Sequence, residues 1–203
     1  MFSCRSETDV SLLANFRRFG WSIVATVNFY RAGFMVQIAA VFMSAFDEKR
    51  AANDKRVAID VREYGCHVIS VFDPKEVQPF FSYSVGIQET SSVPDAIVVG
   101  LKSNIGGFMI NEYNRQVKAG ARFQRGVRYS GFLEGFEVYI EPARRRLLAD
   151  YTYGCDRYYG EREYSVVQII WPSTAGVWPW QKSASAWFRE NQPMLGRVRP
   201  NRA

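Results

Sequence analysis

A chain of 203 residues, 47% hydrophobic and 15% aromatic, is long enough to bury one sizeable core and too apolar to stay disordered. Its net charge of +6 suggests an acidic partner only until the charge is located. Residues 43–180 hold 17 Lys and Arg against 17 Asp and Glu, so the excess falls in residues 1–42 (4 against 2) and 181–203 (5 against 1), which argues against nucleic acid as a partner.

The first 42 residues stand apart. Trp21 to Phe42 is apolar and about as long as a bilayer span. Arg31 at its middle would cost about 2.5–3.5 kcal/mol on insertion scales. Residues 1–42 are therefore expected to be an extension upstream of the domain, from a misassigned start or as a hydrophobic segment, with a membrane anchor over 21–42 as the alternative. One domain is expected over residues 43–180, followed by a basic tail over 181–203 that carries Arg197, Arg199 and Arg202.

Within the domain, a charged helix is expected over 44–63, capped by Ser44 and closed by Gly65. Strands are expected over 66–72 and 80–87, joined by Asp73-Pro74-Lys75-Glu76 turn chemistry. The apolar run 96–101 reads as a strand covered on both faces. A helix over 105–118 follows, capped by Ser103 or Asn104, with Ile105, Phe108, Met109 and Val117 as its buried stripe. Another strand over 132–140 leads to a helix begun by Pro142, whose stripe would be Leu148, Tyr151, Cys155 and Tyr158 or Tyr159. A last strand runs over 164–171. Alternating elements without Gly-rich nucleotide turns predict an α+β fold, with a mixed or mostly antiparallel sheet and two to three packed helices.

His67 is the only histidine, and so the one side chain that titrates near neutrality without a perturbing environment. Closing the first hairpin with Phe72 opposite Pro79 places His67 opposite Ser84, with Ser82 further along the same face. That is half of a nucleophilic arrangement, for which Glu89 is the nearest carboxylate, but no G-x-S-x-G elbow occurs. A histidine bonded within the sheet is the plainer alternative. Lys102-Ser103 at a helix start could attract an anion, though neither a P-loop nor a dinucleotide fingerprint is present. Gln168 interrupts the apolar run 166–171 and must either pin backbone or face a pocket. The run Arg144-Arg145-Arg146 reads as a solvated face. One histidine and dispersed cysteines cannot build a zinc site, and no cofactor is specified. Three scattered cysteines, Cys4, Cys66 and Cys155, suit a reducing, cytoplasmic location, with a single Cys66–Cys155 pair left open.

Several separated blocks carry a resemblance. They are Tyr64-Gly65-Cys66-His67-Val68-Ile69, Phe81-Ser82-Tyr83-Ser84-Val85-Gly86-Ile87, Asn111-Glu112-Tyr113-Asn114-Arg115, Gly131-Phe132-Leu133-Glu134-Gly135-Phe136, and Gln168-Ile169-Ile170-Trp171-Pro172 with Trp178-Pro179-Trp180. In this order they resemble the bacterial domain-of-unknown-function family 4262, which implies a fold and a size but no reaction. The resemblance also implies that many relatives have Trp where Cys66 stands and a histidine ahead of the Pro94-Asp95 pair, which is Val93 here. A shared catalytic histidine at that place would be lost, which favours binding over catalysis. The expectation is a module that binds a small molecule or a protein partner at His67, Ser82, Ser84 and Gln168, with Lys102 and Ser103 as an anion subsite. The alternative is a small hydrolase or transferase using His67 as general base.

Overall fold

The computed structural model describes residues 29–72 and 79–197. The expected turn at Asp73–Glu76, Arg199 and Arg202, and the apolar run as far as residue 28 lie outside them. Long apolar runs form the middle of a six-stranded sheet in the order β1-β2-β3-β6-β5-β4. These strands are β1 (His67–Val71), β2 (Phe81–Val85), β3 (Asp95–Val99), β4 (Arg128–Leu133), β5 (Phe136–Pro142) and β6 (Val166–Ile170). Every residue of β2, β3 and β6 is buried, which is why their sequences are nearly continuous in apolar and small side chains. β3 and β6 run parallel and the other neighbours antiparallel. The fold is α+β with a mixed, mostly antiparallel sheet, as expected.

The helices are α1 (Phe29–Tyr64), α2 (Ile87–Ser91), α3 (Ser103–Lys118), α4 (Tyr153–Tyr159) and α5 (Ala186–Asn191). One core lies between the sheet and α3, where Val68, Val98 and Ile169 meet Met109, Ile110 and Val117. The other joins Ile69, Tyr83, Val85 and Ile97 to Val57 and Val61 of α1 and to Cys155 and Tyr159 of α4. Cys66 and Cys155 are thiols in these two separate clusters. Among the described residues no helix is long and apolar enough to cross a membrane.

Several local expectations need correction. α1 continues through Ser44, whose hydroxyl bonds Glu48 inside the helix instead of capping it. The helix does close at Gly65, whose φ of +86° and amide bond to the Val61 carbonyl make the stop. The N-cap of α3 is Lys102, with no side-chain cap, and Ser103 is its first residue. α3 also buries a different stripe: Gly106, Met109, Ile110, Tyr113, Asn114 and Val117 face inward, while Ile105 and Phe108 are exposed. The cause is a close approach at Gly106, where a Cβ would sit 2.8 Å from Ser82 Oγ, so the helix rotates its smallest residue onto the sheet.

The expected strand over 132–140 is a hairpin of β4 and β5, turned at Gly135 with φ +76°. Pro142 ends β5 and starts no helix; a 3-10 turn at Arg145–Leu147 and the short α4 take that helix's place. Leu148, Cys155 and Tyr159 are nonetheless buried. Residues 181–197, read from charge as a basic tail, pack into the fold. Ser185 caps α5 by accepting the Phe188 amide, and Phe188, Gln192 and Leu195 are buried. Gln192 is held by both the amide and the carbonyl of Trp171, and Ala143 bridges Gly196.

Candidate functional site

The register of the first hairpin decides the fate of the expected His–Ser pair. His67 lies opposite Val85, Val68 opposite Ser84 and Ser70 opposite Ser82, one residue out of the expected pairing. Because side chains alternate along a strand, this single step sends His67 to one face and both serines to the other. The large apolar residues set the register: Ile69 meets Tyr83 and Val71 meets Phe81 on the α4 side, while the small residues Ser70 and Ser82 share the α3 side. Ser82 bonds Ser70 at 2.8 Å beneath Gly106, a structural contact between sheet and helix.

His67 is fully buried, and its Nδ1 lies 2.7 Å from Asp60 Oδ2 in the last turns of α1. Burial lowers its pKa below the ordinary histidine value, against the opposing pull of Asp60. The pair ties α1 to the start of β1.

Ser84 belongs to a second sealed cluster. Asp95 Oδ1 accepts from Ser84 Oγ at 2.7 Å and from the Ile87 amide at 3.0 Å, and Oδ2 accepts from Tyr159 OH at 2.6 Å. Burial pushes the Asp95 carboxyl above its usual range despite these donors. Cys155 donates its thiol to the Ser84 carbonyl, and burial raises its pKa well above that of an ordinary thiol, so it is no activated nucleophile. Asp95 thus fastens β2, the start of α2, and α4 together.

The remaining expected residues do not converge. Glu89 is half-exposed and pairs with Arg162 at 2.9 Å. Lys102 is exposed at the start of α3. Gln168 donates to the Pro193 carbonyl and accepts from the Leu195 amide, so it pins the C-terminal segment. Among the described residues no three His, Cys, Asp or Glu side chains are grouped to hold a metal ion.

A concave site lies elsewhere. At the C-terminal end of α3 and the neighbouring ends of β3, β5 and β6 a cleft of about 250 Å³ opens, walled by Val93, Tyr113, Val117, Phe123, Ile140 and Val167. Tyr113 and Phe123 stack at 5.4 Å, and the Tyr113 hydroxyl is fixed on the Pro94 carbonyl at 3.0 Å. Arg122 and Arg125 supply its charged rim. None of the seven site residues expected from sequence lines it. Its polar residues carried little sequence signal, although Arg197, one of the basic residues read from the C-terminal segment, reaches this place through its carbonyl bond with Arg125.

Comparison with known proteins found one family, described as "Domain of unknown function (DUF4262)", matching residues 60–185. No curated protein and no solved structure matches the chain. The matched segment runs from Asp60, the partner of His67, through every strand to the capping residue of α5, and the chain belongs to the DUF4262 family.

Proposed function

We propose that this protein is a small-molecule-binding module whose site is the cleft between the end of α3 and the β5–β6 part of the sheet. The observation that supports this reading is the cleft itself, an open hollow with apolar walls and a polar rim. Its volume of about 250 Å³ falls below the roughly 300–1,000 Å³ of common ligand pockets, so it suits a compact molecule better than a protein segment. The scattered cysteines fit a reducing compartment, and we place the protein in the cytoplasm on that basis.

A second reading, a small hydrolase or transferase with His67 as general base, draws support from the Asp60–His67 pair. It requires α1 to move, because the ring has no exposed surface. Native mass spectrometry of the protein purified from its own cells tests the first reading. A retained small molecule should disappear in Ala121→Trp, which fills the cleft from a partly exposed position. Retention of the same mass in that variant contradicts the proposal.

A further inference from the structure

The arginines around the cleft come from three separate parts of the chain. Arg122 and Arg125 sit on its rim. Arg125 donates to the Arg197 carbonyl at 2.6 Å, which brings the C-terminal segment to the same place. Arg144 follows two residues after Pro142 of the cleft wall, and its amide bonds the Leu195 carbonyl at 2.7 Å. Arg122 and Arg125 thus line the cleft, with the backbone of Arg197 held against Arg125, and Arg122 spends only Nη1 on backbone carbonyls, those of Val117 and Ala121.

Glu141 is the carboxylate beside this group, and it is already committed. It is buried, and its oxygens accept from Arg125 at 3.1 Å and from the Gly126 amide at 2.7 Å. The positive charge of Arg197 pulls the Arg144 pKa below the ordinary arginine value, with desolvation, Arg146 and Arg125 adding to it. A fold that assembles like charges from distant segments carries a repulsion that a bound anion relieves. Guanidiniums are suited to this, since their planar forks hold carboxylate or phosphate oxygens in pairs.

We propose that the cleft takes a compact organic anion, its apolar body against the walls around Val117, Phe123 and Ile140 and its carboxylate or phosphate held by Arg122 and Arg125 on the rim. This inference rests on the cleft being a binding site, and it adds the charge and the two-part chemistry of the ligand. The cleft walls exclude a bare inorganic anion as the best occupant, because that would leave the apolar lining of the cleft uncovered. The guanidiniums equally disfavour a neutral hydrocarbon.

Titration of the full-length protein, followed by amide chemical shifts in two-dimensional NMR, tests it with four probes: 3-phenylpropionate, phenyl phosphate, neutral 3-phenylpropanol and inorganic phosphate. At least one aromatic anion should move the Tyr113 and 121–125 amides and bind at least tenfold tighter than both the alcohol and inorganic phosphate. Whichever anion binds tighter identifies the headgroup as carboxylate or phosphate. Arg122→Ala, which leaves the Arg125–Glu141 pair in place, should weaken the anion at least tenfold and leave the alcohol unchanged. Raising the salt concentration should weaken the anion alone. Equal binding of alcohol and anions overturns the anion inference but keeps the cleft as a site. Inorganic phosphate binding as well as phenyl phosphate overturns the two-part ligand. No cleft shift with any probe overturns the binding reading along with it.

Discussion

The two ends of the sheet use polar side chains under opposite conditions. Around β1, β2 and β3, the residues of most reactive type are sealed: His67 with Asp60, Ser84 with Asp95 and Tyr159, Cys155 against a backbone carbonyl. Around β5, β6 and the end of α3, less conspicuous residues line a hollow: apolar side chains including Phe123, which stacks on the buried Tyr113, and two arginines on its rim, one of them paired with a buried carboxylate. Chemical capacity and access have separated. A buried polar group must be satisfied to be tolerated, so the sealed end spends its reactive side chains on holding elements together. The open end keeps charge that the fold does not neutralise.

The sharpest way to break this contrast is to test whether the sealed end is truly structural. Asp95→Ala leaves the Ser84 hydroxyl, the Tyr159 hydroxyl and the Ile87 amide without their acceptor. At roughly 1–3 kcal/mol for each buried donor, urea unfolding should show a loss on the order of 3 kcal/mol or more. A loss below about 1 kcal/mol would mean that Asp95 is retained for something other than stability.

Next in size is the contact between α3 and β2. Gly106→Ala should gain about 1 kcal/mol of helix propensity and still destabilise by about 1–3 kcal/mol, because the new methyl meets Ser82 Oγ at 2.8 Å. Adding Ser82→Ala should recover part of that loss in a double-mutant cycle. Strict additivity would show that the two residues are not in contact.

Gln168→Leu should cost roughly 1–2 kcal/mol by orphaning the Pro193 carbonyl and the Leu195 amide. Hydrogen exchange at Leu195 should speed up while β3 amides stay protected. Unchanged exchange would indicate that the C-terminal segment is held by other contacts.

The smallest effect concerns His67. Its folded pKa lies below the unfolded value of 6.5, so the folded state binds its proton less readily. Stability from this group is complete above about pH 6.5 and declines as pH falls from there toward the lowered folded pKa, by at most about 1.4 kcal/mol per pH unit. The raised carboxyl of Asp95 works the other way at lower pH, favouring the folded state when protonated. Comparison with His67→Gln isolates the histidine: the stability of the native protein relative to the variant should rise with pH up to about 6.5 and then level off. A flat difference would place the ring in an environment that does not distinguish its charge states.

How far the sequence foretold this molecule depends on which physical rule governs each part. Sheet class, the apolar strands and the Gly65 stop were legible, because burial on both faces and a positive φ leave direct marks in residue type. The hairpin register was readable too, from alternation: pairing Ile69 and Val71 with Tyr83 and Phe81 keeps large apolar side chains on one face. Counting inward from the turn overlooked that rule and produced the false His67–Ser84 pair. The rotation of α3 depends on the Gly106–Ser82 contact, a long-range fit that no helical period announces. The cleft was hidden for the same reason. Arg125, Arg144 and Arg197 are distant in sequence, and the bonds of Arg125 to Arg197 and of Arg144 to Leu195, with the Ala143–Gly196 bridge, bring their segments together.

One measurement separates the two ends most directly: amide chemical-shift mapping of the full-length protein titrated with 3-phenylpropionate and phenyl phosphate. Saturable shifts at Tyr113, residues 121–125 and Val167, with 67–71 and 82–85 unmoved, are the predicted outcome. Shifts centred on His67 and Ser84, with the arginine-rimmed cleft silent, would contradict the account and return the site to the sealed end.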